Sequence, residues 1–121
     1  MDAYRRVGHV DEFREGKIRV FLMGGGRVGV VRWRDRFYAF ADECTHQGVT
    51  LRTAELTDAN ELVCAVHYAA YELGTGRVID GPSLIEALPV FDVRIEDGNV
   101  FLAETTQPQT SLSQALDQAN G

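Results

Sequence analysis

Two short motifs lie seventeen residues apart in this 121-residue chain: Cys44-Thr45-His46 and Cys64-Ala65-Val66-His67. They contain both cysteines of the chain and two of its three histidines. Each motif offers one sulfur and one nitrogen ligand, which is the composition of a metal site. We therefore expect the motifs to occupy two loops that converge in the folded protein. A disulfide is the weaker interpretation, because each cysteine has a histidine two or three residues further on.

Two kinds of metal centre suit this ligand set. In a binuclear iron–sulfur centre of mixed ligation, two thiolates hold one iron, two imidazoles hold the other, and sulfide bridges them. That arrangement would place Cys44 and Cys64 on one iron and His46 and His67 on the other. A tetrahedral zinc site is the alternative. Zinc modules, however, usually pair like ligands and are smaller, whereas both loops here are mixed. Visible colour distinguishes the two, because zinc proteins have none.

Short apolar or alternating segments, separated by turns, predict an antiparallel all-β domain. Glu61-Leu62-Val63 delivers Cys64 at the end of one such strand. The strands predicted before and after the two motifs cover residues 4–9, 17–22, 28–33, 37–40, 90–95 and 100–103.

A glycine pattern in the first half matches a nucleotide-binding motif as a string. Gly24-x-Gly26-x-x-Gly29 has the spacing of the dinucleotide fingerprint, which functions only between a strand and a helix. A β-rich run ending in Trp33 follows instead, so we interpret the glycines as a hairpin turn.

Taken with its β pattern, the four-ligand motif resembles the Rieske family, specifically the small soluble Rieske-type ferredoxins, over about residues 4–104. The resemblance implies an antiparallel β-sandwich or barrel over residues 1–104, with an inserted cluster-binding lobe at about 41–85. It also implies one [2Fe–2S] cluster per chain, held by Cys44, His46, Cys64 and His67. Residues 105–121 are polar and predict either a disordered tail or a short helix capped by Ser111 and Gln114.

The resemblance extends to residues near the cluster. A proline-containing loop covers the cluster in this family, and Pro82 stands at that place. Tyr68 occupies the position after the second histidine ligand, where most Rieske ferredoxins have glycine. Together with Gln47, which follows His46, it makes the chain look closer to the ferredoxins of toluene- and alkene-type monooxygenases.

Other positions bear on the reduction potential. High-potential respiratory relatives carry a disulfide brace, and the matching positions here are Val49 and Val66. They also carry a serine donor to the cluster where this chain has Ala69, although Tyr71 falls where they keep a tyrosine. Fewer donors stabilise the reduced cluster less, so we expect a potential near the low end of the roughly −150 to +300 mV of such centres.

The resemblance implies an electron carrier and not an enzyme, because filled ligand positions leave no open iron for a substrate. The expected partners are an NAD(P)H-dependent flavin reductase and a terminal oxygenase, with a diiron hydrocarbon monooxygenase favoured over an aromatic-ring dioxygenase. An alternative is the Rieske-like small subunit of a larger reductase, such as nitrite reductase. Some of those subunits lack the ligands, and this chain keeps all four.

Net charge and hydropathy bear on which partners and which location are expected for the protein. The net charge is −6, so nucleic acid is not an expected partner. The segment from Ala41 to Glu86 holds eight acids and two arginines, which predicts an acidic face for a basic partner or a solvated surface. Proximity of a ligand loop to solvent suffices to explain Asp42 and Glu43. No apolar run is long enough for a membrane and no signal sequence is evident, so we expect a cytoplasmic protein.

Overall fold

The computed structural model describes residues 3–23, 26–43, 50–65, 68–81 and 86–106. These residues form ten strands and one three-residue 3-10 helix, at Val10–Glu12. The strands are β1 (Tyr4–His9), β2 (Arg19–Met23), β3 (Gly26–Trp33), β4 (Arg36–Ala41), β5 (Glu55–Leu56), β6 (Glu61–Val63), β7 (Ala70–Glu72), β8 (Val78–Asp80), β9 (Val90–Glu96) and β10 (Asn99–Thr106).

Six strands form the larger sheet, in the order β1-β10-β9-β4-β3-β2, and every neighbouring pair is antiparallel. The strands curve into a nearly closed barrel, which confirms the predicted all-β class. Two of its hairpins turn through two residues with positive φ: Arg34 and Asp35 (53° and 66°), and Asp97 and Gly98 (53° and 78°). Turns of this kind match the right-handed twist of the flanking strands.

The smaller sheet follows chain order, β5-β6-β7-β8, and is inserted between β4 and β9. Its strands have only two or three residues each, so the sheet depends on packing against the rest of the protein. The side chains that provide this packing belong to one core cluster. It combines Ile18, Val31, Phe40 and Val90 with Leu51, Leu62, Cys64, Ala69, Tyr71, Leu73 and Leu88.

β3 connects the two cores of the molecule. Val31 packs in the cluster shared with the smaller sheet, whereas Val28 and Val30 pack in a second cluster formed within the larger sheet. Gly29 lies where a Cβ atom would approach the Phe40 ring to 2.7 Å. Glycine therefore allows close packing here, inside a strand. The hairpin-turn interpretation is wrong for Gly26, which is paired with Met23 as the first residue of β3 and, like Gly29, lies in a strand. Gly24 and Gly25 lie outside the described residues. A strand and not a helix contains Gly26 and Gly29, so the arrangement that a dinucleotide fingerprint requires is not present there.

Strand ends differ modestly from the sequence prediction. β1 has the predicted limits, but β2 begins two residues later, at Arg19. β10 continues three residues beyond Ala103, with Thr106 paired to Phe91 after a register shift. Its last residues are exposed and polar, so hydrophobic alternation could not reveal them. Among the residues with described positions, no helix has the length or apolar character to cross a membrane. The predicted helix around residues 111–114 lies outside them.

Candidate metal centre

The second motif begins at the end of β6, where the sequence predicted it. Cys64 is 1% exposed and is not in a disulfide. Its backbone N–H donates to the Ala69 carbonyl at 2.8 Å, and the Tyr68 N–H donates to the Cys64 carbonyl at 2.8 Å. These bonds fix both ends of a tight loop between β6 and β7. The loop therefore holds a buried thiol at the tip of the inserted sheet.

Tyr68 combines an unusual backbone with an unusual surface position. Its φ is +57°, in the left-handed region that glycine adopts most readily. Its side chain is 75% exposed, one of the most exposed large apolar residues that the structure describes. The backbone conformation gives a physical reason for a glycine at this position. Tyrosine keeps that conformation here and adds a ring at the surface beside the motif.

Tyr71 lies on β7 opposite Leu62 of β6. It is fully buried and belongs to the same core cluster as Cys64. The structure thus places this tyrosine in the packing around the second motif. Its predicted role toward the cluster stays a prediction.

The first motif is bounded by a polar cluster. Asp42, two residues before Cys44, is the buried acid among the described side chains, at 1% exposure. Its carboxylate accepts hydrogen bonds from the Thr50 hydroxyl, the Leu51 N–H and Arg27 Nε. The expectation that Asp42 is a solvent-side acid is therefore wrong, whereas Glu43 is exposed at its side chain (60%) as expected. No sequence signal separates the two acids, because burial of Asp42 depends on its contact with Arg27 of the neighbouring strand β3.

The remaining predicted site residues, Cys44, His46, Gln47, His67 and Pro82, lie outside the described residues. Within the described part of the chain, no three His, Cys, Asp or Glu side chains group into a possible metal site. The four-ligand assignment accordingly stays a prediction. The described residues can still be compared with what a thiolate ligand requires. A buried thiol free of any disulfide suits a thiolate ligand, and Leu51, just after the first motif, shares its core cluster.

The acidic residues of the segment from Ala41 to Glu86 differ in their environments. Asp42 is paired with Arg27 at 3.2 Å, so it contributes little to a surface charge. The Thr75 hydroxyl donates to the Glu72 carboxylate and is the main reason that the pKa of Glu72 is lowered; Arg77 lowers it further. The acids of the segment that remain exposed are Glu43, Glu55, Asp58, Asp80 and Glu86.

The described residues define a class: a small antiparallel β protein whose inserted sheet carries a buried thiol at a hairpin tip. Within it, the chain belongs to the family of the Rieske [2Fe–2S] domain, whose model matches residues 3–94. The cofactor that this membership indicates is one [2Fe–2S] cluster.

Two relatives that are named as ferredoxins are matched over most of their own length. The chain is 29% identical over 106 residues to the ferredoxin component of the alkene monooxygenase system of Xanthobacter autotrophicus, covering 88% of this chain and 85% of the relative. It is 31% identical over 99 residues to ferredoxin CarAc of Metapseudomonas resinovorans, covering 81% and 91%. A solved complex of reduced oxygenase and oxidized ferredoxin in carbazole 1,9a-dioxygenase contains a chain that matches with a TM-score of 0.76 at 28% identity, covering 86% and 95%.

Proposed function

We propose that this protein is an electron carrier, not an enzyme, that passes single electrons from an NAD(P)H-dependent flavin reductase to a terminal oxygenase. The observation that carries the proposal is its similarity, over 85% and 91% of their lengths, to two ferredoxins. We place the protein in the cytoplasm.

We infer that Cys44 and Cys64 hold one iron of the cluster, and His46 and His67 the other. When bound, the cluster supplies one-electron redox chemistry at mixed thiolate and imidazole ligation. The protein supplies the ligands and the packing around them. Cys64 is buried, and Ala69 and Tyr71 pack with it in the same hydrophobic core cluster. Gln47 and Pro82 are proposed to lie close to the centre.

The oxygenase is proposed to be a diiron hydrocarbon monooxygenase. Sequence identity does not separate the two types, since it is 29% to the alkene monooxygenase component and 31% to CarAc. The residues that favour the monooxygenase are Gln47 and Tyr68. We further propose that the exposed Tyr68 ring contacts the partner, because it stands beside His67 in sequence and has 75% of its surface in solvent.

Electron transfer tests the proposed function directly. The anaerobic protein is mixed with NADH or NADPH and a flavin-dependent ferredoxin reductase, and then with a purified alkene monooxygenase hydroxylase or carbazole dioxygenase oxygenase. We expect reduction by one electron per chain and faster reoxidation by the hydroxylase. Failure of both oxygenases to reoxidise the reduced protein would reject the carrier role. Faster reoxidation by the dioxygenase would reject only the monooxygenase assignment.

The ligand assignment has a matched control in the third histidine. His67→Asn is expected to abolish cluster assembly, whereas His9→Asn is expected to preserve it. His9 lies at the end of β1 and accepts a hydrogen bond from the Asp11 N–H, a capping role that asparagine also performs. Iron, inorganic sulfide and the visible spectrum are measured on both variants. Normal contents in His67→Asn would remove that residue from the ligand set.

A further inference from the structure

We propose that Asp42 is a positioning residue, whose buried carboxylate joins the two ends of the segment that carries Cys44 and His46. The inference deepens the proposed function and rests on it, because it concerns how two of the assigned ligands are held. Asp42 itself need not touch the cluster. It acts through the chain on either side of the first motif.

The carboxylate closes the segment with short hydrogen bonds. Its Oδ1 accepts from the Leu51 N–H at 2.9 Å and from the Thr50 hydroxyl at 2.9 Å. Its Oδ2 is 2.7 Å from the same hydroxyl. Residue 42 precedes the motif and residues 50 and 51 follow it. The segment between them therefore starts and ends at one carboxylate.

A second set of bonds fixes Asp42 to the larger sheet. Arg27 of β3 donates from Nε to Oδ2 at 3.2 Å and from Nη2 to the Asp42 carbonyl at 3.2 Å. The Asp42 N–H donates to the Arg27 carbonyl at 2.9 Å. Both the backbone and the side chain of Asp42 are thus held by one residue of a central strand. The segment is tied to the sheet and not merely to itself.

The far end of the segment leads to the second motif. Leu51, whose N–H donates a hydrogen bond to the Asp42 carboxylate, is fully buried. Its side chain packs in the core cluster that contains Cys64 and Ala69. A continuous path of contacts therefore runs from Arg27 through Asp42 and Leu51 to the packing around the second motif. This path would set the position of the first motif relative to Cys64.

The burial of the charge supports a specific role. A carboxylate removed from water is costly unless it is paired and hydrogen-bonded, and Asp42 at 1% exposure has a guanidinium, a hydroxyl and an amide as donors. Glu43 provides the contrast, because it forms a longer, 3.9 Å ion pair with Arg27 and its side chain is 60% exposed. The two neighbouring acids differ in geometry but carry the same charge.

That pair of acids supplies the experiment. Asp42→Ala, Asp42→Asn, Thr50→Val and Glu43→Gln are compared with wild type for iron and sulfide content, paramagnetic resonance spectrum of the reduced protein, and reduction potential. Glu43→Gln measures the effect of removing one charge beside the motif. Asparagine retains an oxygen for the Leu51 N–H, and Thr50→Val removes one donor without altering charge.

We expect Asp42→Ala to bind its iron–sulfur cluster about tenfold more weakly than the wild-type protein. A loss of this size lies in the range seen when residues that support metal ligands are removed. Its spectrum should be broadened or shifted, with Asp42→Asn and Thr50→Val intermediate. Glu43→Gln should keep the wild-type content and spectrum. A wild-type spectrum in Asp42→Ala and Thr50→Val would overturn the positioning role while leaving the proposed function intact. Wild-type protein without iron and sulfide would instead reject the proposed function, and this inference with it.

Discussion

Three residues in or close to the two motifs, Cys64, Tyr68 and Asp42, differ in burial and in backbone conformation. Cys64 could be placed at a strand end because Glu61–Val63 has a strand pattern and a ligand motif follows it. Tyr68 could be identified as a departure from glycine, but its left-handed backbone appears only in the structure. Asp42 could not be told from Glu43, because its partner Arg27 lies fifteen residues away on another strand.

The backbone of Tyr68 leads to a prediction about stability. Alanine at this position would keep the unfavourable φ of +57°, whereas glycine would relieve it. We expect the free energy of unfolding of Tyr68→Gly to be about 1 kcal/mol higher than that of Tyr68→Ala. This difference already allows for the greater freedom of glycine in the unfolded chain. Urea denaturation of the two variants measures the difference. Equal stability, or a more stable alanine variant, would show that relief of the left-handed conformation does not outweigh the greater freedom of glycine in the unfolded chain.

Glu72 predicts a pH-dependent stability. Its pKa in the folded protein is below its ordinary value of 4.5, chiefly because of the Thr75 hydroxyl. The stabilisation is therefore present above pH 4.5 and is lost as the pH falls through the folded pKa. Thr75→Ala should be less stable than wild type at pH 7 by about 0.5 kcal/mol or less, because the pair is solvent-exposed.

That deficit should shrink in acid, when Glu72 is protonated in both proteins. Thr75→Ser keeps a hydroxyl and serves as the control. Chemical denaturation at neutral and acidic pH provides the measurement. A deficit that is independent of pH would assign the effect of Thr75 to the turn and not to the carboxylate.

At the scale of elements, the sequence predicted most of the longer strands but made no prediction of their order in the sheets. β1, β3, β4 and β9 alternate or carry apolar runs, and their approximate limits follow from that pattern. The inserted sheet is built from strands of two or three residues, which are too short for periodicity to indicate an order. Its order comes instead from hairpin turns and from the core cluster shared with β3 and β4.

Packing of the inserted sheet can be tested at Leu62. This residue is fully buried on β6 and lies opposite Tyr71. Leu62→Ala should lower the free energy of unfolding by about 2–5 kcal/mol, from lost burial and the cavity left behind. Leu22→Ala is the matched control, because Leu22 is also on a strand but is 77% exposed.

For the control we expect a change within about 0.5 kcal/mol. Thermal or urea unfolding of the purified variants gives both values. A Leu62→Ala protein as stable as Leu22→Ala would mean that the β6–β7 hairpin does not depend on the shared core.

At the scale of the whole molecule, the charge distribution was predictable in sign but not in detail. The segment from Ala41 to Glu86 carries eight acids, but the structure buries Asp42 and pairs Glu72 with Arg77. The acidic surface is therefore smaller than the count suggests. Sequence alone cannot make this distinction, because it does not show which acids meet a guanidinium.

An acidic docking surface predicts salt-dependent electron transfer. Raising the salt concentration from about 0.01 M to about 1 M shortens the Debye length from about 30 Å to about 3 Å. We expect the second-order rate of reaction with the partner to fall over this range. The double variant Glu55→Gln/Asp80→Asn should be slower at low salt than Glu96→Gln/Glu104→Gln, which removes the same charge from β9 and β10. Stopped-flow rates that change neither with the salt concentration nor with the location of the removed charges would exclude steering by an acidic surface.

We propose that the two Cys–His motifs together hold one [2Fe–2S] cluster. The most direct measurement is the iron, zinc and inorganic sulfide content of anaerobically purified protein, made alongside Cys64→Ser. We expect a coloured protein with two irons and two sulfides per chain and no zinc, and we expect both iron and sulfide to be lost in the variant. Colourless wild-type protein that contains zinc or no inorganic sulfide would contradict this proposal.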